Sequence, residues 1–219
     1  MNRLEFLKIL AAAGIGVPLL SSFGAIGERK VIYNNYPIIT DEFEVFDMAL
    51  YQAMEKDVLG DVHQYSKNGT YFEILKGEDE IIYNYYPFNS YFCLYKEFYA
   101  SNGYIKQKGI AYVNGFAKGL WYEFDEKGFL VKTTDYDAPF TFSFEDILAY
   151  CRAHRIEVTK GYQRIGYHNG IHRFVNKDGS CYWKISHKIA LDREENIYLD
   201  GKTGREIKRE ENLYGVEGK

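Results

Sequence analysis

AYVNGFAKGLWYEFDEKGFLVKT, residues 111 to 133, sets aromatic and aliphatic residues between Asn-Gly and Lys-Gly pairs every few positions. Asn or Asp followed by Gly tolerates the positive φ that a tight hairpin loop demands, so Asn-Gly between apolar runs predicts a two-residue type I′ turn. The chain has Asn-Gly at 68–69, 102–103, 114–115 and 169–170, and Asp-Gly at 178–179 and 200–201. Their flanks are rich in Tyr, Phe, Ile and Val, residues that fit a pleated, half-buried surface. The expected fold class is therefore mainly β (α+β): an antiparallel hairpin meander with an N-terminal amphipathic helix, followed by a second half of helix plus sheet.

Two segments carry helical rather than alternating spacing. In TDEFEVFDMALYQAMEKD, residues 40 to 57, Phe43, Phe46, Leu50, Ala53 and Met54 recur at helical intervals. Thr40 is placed to cap, and Asp41, Glu42 and Glu44 suit the positive end of the dipole, which predicts a helix over 41–57. In the second segment Ser143 caps, Asp146 stands three residues on, and Phe144, Ile147, Leu148 and Cys151 mark one face, predicting a helix over 143–154. Strands are expected from 62 to 134 and again in IEVTKGYQRI, IHRFV, SCYWKISHKI, NIYLD and REIKR. The organisation reads as 1–27 signal peptide or anchor, 28–138 helix plus hairpins, and 139–219 helix plus antiparallel sheet.

The first segment differs from the rest. Arg3 and Lys8 precede an apolar run with no charge before Glu28, and small residues at Gly24 and Gly27 suit cleavage. The start is similar to a twin-arginine export signal with Leu4 in place of the second arginine, so the general secretion route is expected. The protein is read as exported, periplasmic or at the cell surface, and membrane contact is expected only through an uncleaved N-terminal segment. Export permits disulfides, but Cys93, Cys151 and Cys181 are an odd number, and their positions within apolar patterns predict three buried thiols.

Composition bounds the partners. A chain of 219 residues with 21 Tyr, 15 Phe and 4 Pro holds enough apolar surface for a sizeable core. A formal net charge of -4 argues against nucleic acid, whose phosphates are bound by clustered Lys and Arg. The aromatics and lysines of Tyr91 to Tyr99 are read as a packing surface.

An internal repeat is visible at an offset of 25 residues. FYASNGYI (98–105) laid on EFDEKGFL (123–130) superposes Tyr99 on Phe124, Gly103 on Gly128 and Ile105 on Leu130. The pattern at Tyr112, Asn114, Gly115, Gly119 and Trp121, followed by Phe124, Asp125, Gly128 and Leu130, resembles the MORN-like repeat of the YwqK-type antitoxin family. Tyr198, Asp200, Thr203, Gly204 and Ile207 look like the last hairpin of a PepSY-like module. The first resemblance implies stacked hairpins and a protein that occupies another; the second implies a small exported module that binds or inhibits.

Signatures of chemistry are absent from the sequence. Gly201-Lys202-Thr203 lacks the earlier glycine of a phosphate-binding loop, Asn196 standing there, and G-x-S-x-G, H-E-x-x-H and C-x-x-C do not occur. A two-residue turn at 169–170 would pair His168 with Ile171 and Tyr167 with His172, placing the two imidazoles on opposite faces, so neither a metal nor a cofactor is expected. His63, His154 and His187 show no grouping. Asp135 and Asp137 read as a solvated acidic connection, and Glu145 and Asp146 as first-turn carboxylates.

Function is therefore sought in the aromatic residues. Tyr112, Phe116, Trp121, Tyr122 and Phe124 are the candidate binding residues, with alternation sending Trp121 and Tyr122 to opposite faces. The expectation is a non-enzymatic, exported binding module, immunity- or antitoxin-like, whose partner is another protein, toxin-like or an envelope component. The alternative is an exported binder of cell-envelope carbohydrate.

Overall fold

The computed structural model describes residues 37–66, 69–113, 115–162 and 168–213. The expected signal segment and Asn68, Asn114 and Tyr167 lie outside them. Seven strands, β1 (Val62–Tyr65), β2 (Tyr71–Lys76), β3 (Glu80–Tyr86), β4 (Phe92–Tyr99), β5 (Ile105–Tyr112), β6 (Ala117–Phe124) and β7 (Leu130–Asp135), pair in sequence order as one antiparallel meander. A second antiparallel sheet of four strands, β8 (Gly170–Val175), β9 (Cys181–Ala190), β10 (Arg193–Asp200) and β11 (Glu206–Leu213), follows the same rule. Two short helices, α1 (Met48–Ala53) and α2 (Phe144–Ala153), complete the described elements.

The glycines turn the chain as expected, by a different geometry. Around Gly60, Gly69, Gly128 and Gly179 the loop closes over three residues, and φ at the glycine lies between +81° and +88°. At Gly103 and Gly204 it closes over four residues, with φ of +74° and +71°. Among the described residues only Asn89 and Arg155 are non-glycines with positive φ, so Asn102, Asp178 and Asp200 do not form type I′ turns. A type I turn finished by a left-handed glycine needs only one residue of that kind, so Lys-Gly and Thr-Gly serve as well as Asn-Gly. Asn169-Gly170 is no turn at all: Gly170 pairs with Ser186 inside β8, and Asn169 bonds Glu157 O and Lys188 N. The strand expected at 156–165 is likewise not formed over residues 156–162.

Helix α2 matches its sequence signals. Ser143 Oγ accepts from Asp146 N and the Asp146 carboxylate accepts from Ser143 N, a complete capping box. Phe144, Ile147, Leu148 and Cys151 are buried as one stripe. At the far end Arg155 takes φ +59° and Ile156 N bonds Cys151 O, a Schellman closure that buries Ile156. Helix α1 departs from expectation. It spans six residues capped by Asp47, while 42–46 run extended, with Val45 bridging Tyr104.

That extension has a physical cause in the sheet beneath. Lys96 and Lys108 stand on the apolar face of β4 and β5, 3% and 0% exposed. Glu44 accepts from both, with Lys108 Nζ at 2.7 Å, and Lys108 also bonds the carbonyl of Glu42. A helix over 41–57 would draw Glu44 away and leave two buried charges unpaired, which costs several kcal/mol. The segment therefore lies across the sheet as a strap, and Phe46 and Tyr51 seal it against Ile74, Ile81, Tyr83, Phe98, Ile105 and Phe124.

A second core joins the two sheets. Phe92, Tyr112 and Phe116 of the meander pack with Phe144 and Ile147 of α2 and with Ile171, Trp183, Ile185, Ile197 and Leu199 of the four-stranded sheet. Asp137 fastens the seam by pairing with Lys118 of β6 and Arg173 of β8, both at 2.7 Å. Burial pushes the Asp137 carboxyl up, but its bonds to Lys118 and Arg173 outweigh this and hold it below the ordinary value. Asp137 is thus an inter-sheet tie rather than a solvated connector, while the Asp135 carboxylate accepts from the Asp137 N–H. Cys93, Cys151 and Cys181 are buried and unbridged, and burial pushes the Cys93 and Cys151 thiols up to about 12. Among the described residues no helix is long and apolar enough to cross a membrane.

Candidate binding surface

Alternation along a strand gives the meander two unlike faces. One carries the strap and the two cores. The other carries a three-fold pattern that the register makes plain: Tyr71-x-Glu73 on β2, Tyr95-x-Glu97 on β4 and Trp121-x-Glu123 on β6. Successive aromatics are 24 and 26 residues apart in sequence. Directly opposite each glutamate on the next strand stands a donor: Asn84 faces Glu73, Gln107 faces Glu97 and Lys132 faces Glu123. Each hairpin thus repeats one unit of ring, carboxylate and cross-strand partner.

The units hold together by hydrogen bonds along the strand as well as across it. Tyr71 Oη donates to Glu73 at 2.9 Å, and Tyr95 Oη donates to Glu97 at 2.9 Å. Asn84 Nδ2 reaches Glu73 at 3.0 Å, Gln107 Nε2 bonds Glu97, and Lys132 Nζ reaches Glu123 at 2.7 Å. Burial pushes the Glu97 carboxyl up, yet the bonds from Lys106, Gln107 and Tyr95 prevail and hold it low. Burial and hydrogen bonding to Glu97 push the Tyr95 hydroxyl well up, so it stays protonated and donates.

What lies over the three rings differs. Tyr71 is buried, stacked by Tyr162 at 3.8 Å and flanked by Tyr65 and Tyr86. Tyr95 and Trp121 are half-buried and lie near-parallel, 5.4 Å apart and 28° from coplanar orientation. Trp121 covers Gly109, where any side chain would overlap the indole, and its Nε1–H donates to Ile110 O at 3.0 Å. The indole therefore lies against the backbone of β5, with Tyr95 near-parallel to it and Tyr136 edge-on beside it at 5.9 Å. Among the described residues β7 is the edge strand; Lys132 and Thr134 share the face of Trp121, while the exposed Leu120, Leu130 and Val131 fall on the other face and Phe129 is exposed in the β6–β7 turn.

The five residues singled out from sequence divide between these places. Tyr112 and Phe116 are buried in the core between the sheets, and Phe124 is buried under the strap. Tyr122 is half-buried on the strap side of β6 against the same core. Trp121 alone of the five lies on the ring-and-carboxylate face. Tyr71, Tyr95, Glu73, Glu97 and Glu123 were missed by the sequence reading. Their signal is the repeated aromatic-x-Glu, visible once hairpin registers are aligned and hidden while glycines alone set the repeat.

The remaining candidates take structural positions. Asp146 caps α2, and Glu145 is exposed in its first turn. His187 pairs with Glu195 at 2.8 Å. Burial and the nearby Lys184 push the His172 imidazole down, and His172 sits within β8 rather than beside a tight turn. Comparison of the chain with family models, with curated proteins and with solved structures gave no match.

Proposed function

We propose that this is a non-enzymatic binding protein, exported and immunity- or antitoxin-like, that occupies a partner protein with the β4–β7 portion of its meander. The observation that carries this reading is the Trp121 indole stacked beside Tyr95 on one face of β6, together with the edge strand β7, whose Leu130 and Val131 are exposed on the other face. Large rings held at small entropic loss suit a protein interface. The strand edge adds unpaired backbone groups to which a partner strand can bond. Repeating hairpin units of the kind expected of a MORN-like protein accord with the reading, as does an N-terminal segment of signal-peptide character.

Capture from host extract tests it. Wild-type protein is expected to retain a partner that Trp121→Ala and Val131→Lys both lose, with melting temperature unchanged within a few degrees. Equal capture by both variants would remove the β6–β7 surface from consideration. A second reading, binding of envelope carbohydrate, is favoured specifically by the half-buried Trp121 and Tyr95 rings lying side by side on one face, since sugar rings stack on such aromatic surfaces. Retention on purified envelope polysaccharide, lost with Trp121→Ala, would select it.

A further inference from the structure

At the β1 edge of the meander three side chains converge that sequence spacing did not group. Asp57, Asp61 and His63 each offer one ligand atom, all within 4.8 Å of one another. The fold has engaged the second atom of each. Asp57 Oδ1 accepts from the N–H groups of Leu59 and Asp61, which fixes the loop that Gly60 closes. Asp61 Oδ1 accepts from Lys76 N at 3.0 Å. His63 Nδ1 lies 2.8 Å from Tyr71 Oη.

The tyrosine contact sets the histidine's tautomer, and it lies outside the cluster. Glu73 is surrounded by donors: Tyr71 at 2.9 Å, Asn84 at 3.0 Å and Tyr86 at 3.4 Å. A carboxylate only accepts, so the Tyr71 hydroxyl hydrogen goes to Glu73, and its oxygen, which the Tyr162 hydroxyl also reaches, accepts from His63 Nδ1–H. Nε2 therefore faces the two carboxylates, 3.6 Å from Asp57 Oδ2. A second hydrogen bond that orients a histidine, backed by a buried carboxylate, is the support metal-bound imidazoles use.

We propose that Asp57, Asp61 and His63 Nε2 form a three-ligand site for a divalent transition-metal ion of the zinc class, open to solvent at its remaining position. Imidazole selects zinc-class ions over magnesium and calcium, and two carboxylates supply the balancing charge. The site ties the loop before β1 to the strand, and through Tyr71 and Glu73 to the first ring-and-carboxylate unit.

Zinc titration of the untagged full chain, followed by calorimetry and by ¹⁵N NMR of the His63 ring, tests this. The expected result is one saturable site per chain that moves the His63 Nε2 resonance, with magnesium producing no such shift. His63→Gln and Asp61→Asn should each weaken zinc binding at least about tenfold, while His154→Ala leaves it unchanged. Tyr71→Phe, which frees the ring, should weaken it less and alter the tautomer signal. The proposal is overturned if His63→Gln binds zinc as wild type does. It is equally overturned if millimolar zinc leaves a doubly protonated His63 ring unmoved, since a proton would then be the only cation the site takes.

Discussion

The two faces of the seven-stranded sheet are made from the same strands by the same alternation, yet they resolve buried charge in opposite ways. On the strap side, two lysines are buried and depend on one carboxylate, Glu44, delivered from 52 and 64 residues away in sequence. On the other side, Glu73 and Glu97 are each met by partners on their own and the adjacent strand, and Glu123 by Lys132 across the strand pair. The first arrangement is a single long-range tie that closes a surface. The second is local and repeated, so it leaves the surface rigid and open. A face built from local units can present rings without a covering segment, which is why binding is assigned there.

Breaking the tie should have the largest effect. Glu44→Ala leaves Lys96 and Lys108 buried without their partner, and breaking buried pairs of this kind costs about 3–5 kcal/mol, read as a large fall in denaturant midpoint. Phe124→Ala, under the strap and beneath Lys108, should lower stability by about 3–5 kcal/mol through its cavity, again in a denaturant titration. Either variant behaving like wild type would mean that the strap does not close this face.

On the open side the same tests should behave differently. Gly109→Ala forces Trp121 off the sheet, and overpacking of this kind costs about 1–3 kcal/mol while also impairing capture of a partner. Trp121→Ala should cost less stability than Phe124→Ala, since the indole is only half-buried, but weaken binding by about 2 kcal/mol or more, measured by calorimetry with the captured partner. The contrast between Phe124→Ala and Trp121→Ala, three residues apart on one strand, is the sharpest form of the comparison.

The smallest effect concerns the seam between the sheets. The Asp137 carboxyl is held low by Lys118 and Arg173, so its contribution is fully present above the unfolded-state value and is lost as pH falls through the folded one. Wild type should therefore exceed Asp137→Asn in melting temperature near neutrality, and the gap should narrow as pH drops below the ordinary aspartate range. A gap that stays constant into acid would mean that the ion pairs do not hold the seam.

The meander and α2 were legible because their signals are local. Alternating strands, glycines at turns and the Ser143–Asp146 box each act within a few residues. Helix 41–57 was misread because Phe43, Phe46 and Leu50 fit a helical face, while the force that extends 42–46 comes from lysines in β4 and β5. No spacing rule contains that distance. Type I′ turns were overcounted since Asn-Gly serves both loop geometries. The binding face was half legible: Trp121 was chosen for its ring, but Tyr112, Phe116 and Phe124 have equally suitable rings, and only register separates the core from the platform. Aromatic-x-Glu at 71, 95 and 121 stands in the sequence, but only the hairpin registers bring the three copies onto one face.

The most direct test of the open-face assignment uses the two tryptophans as opposed reporters. Trp183 is buried between the sheets, 1% exposed, whereas Trp121 lies half-buried on the open face. Iodide quenching of wild-type fluorescence should show an accessible fraction that disappears in Trp121→Phe, and a captured partner should shield that fraction in the wild type. Quenching that persists unchanged in Trp121→Phe, or that the partner leaves untouched, would contradict the account.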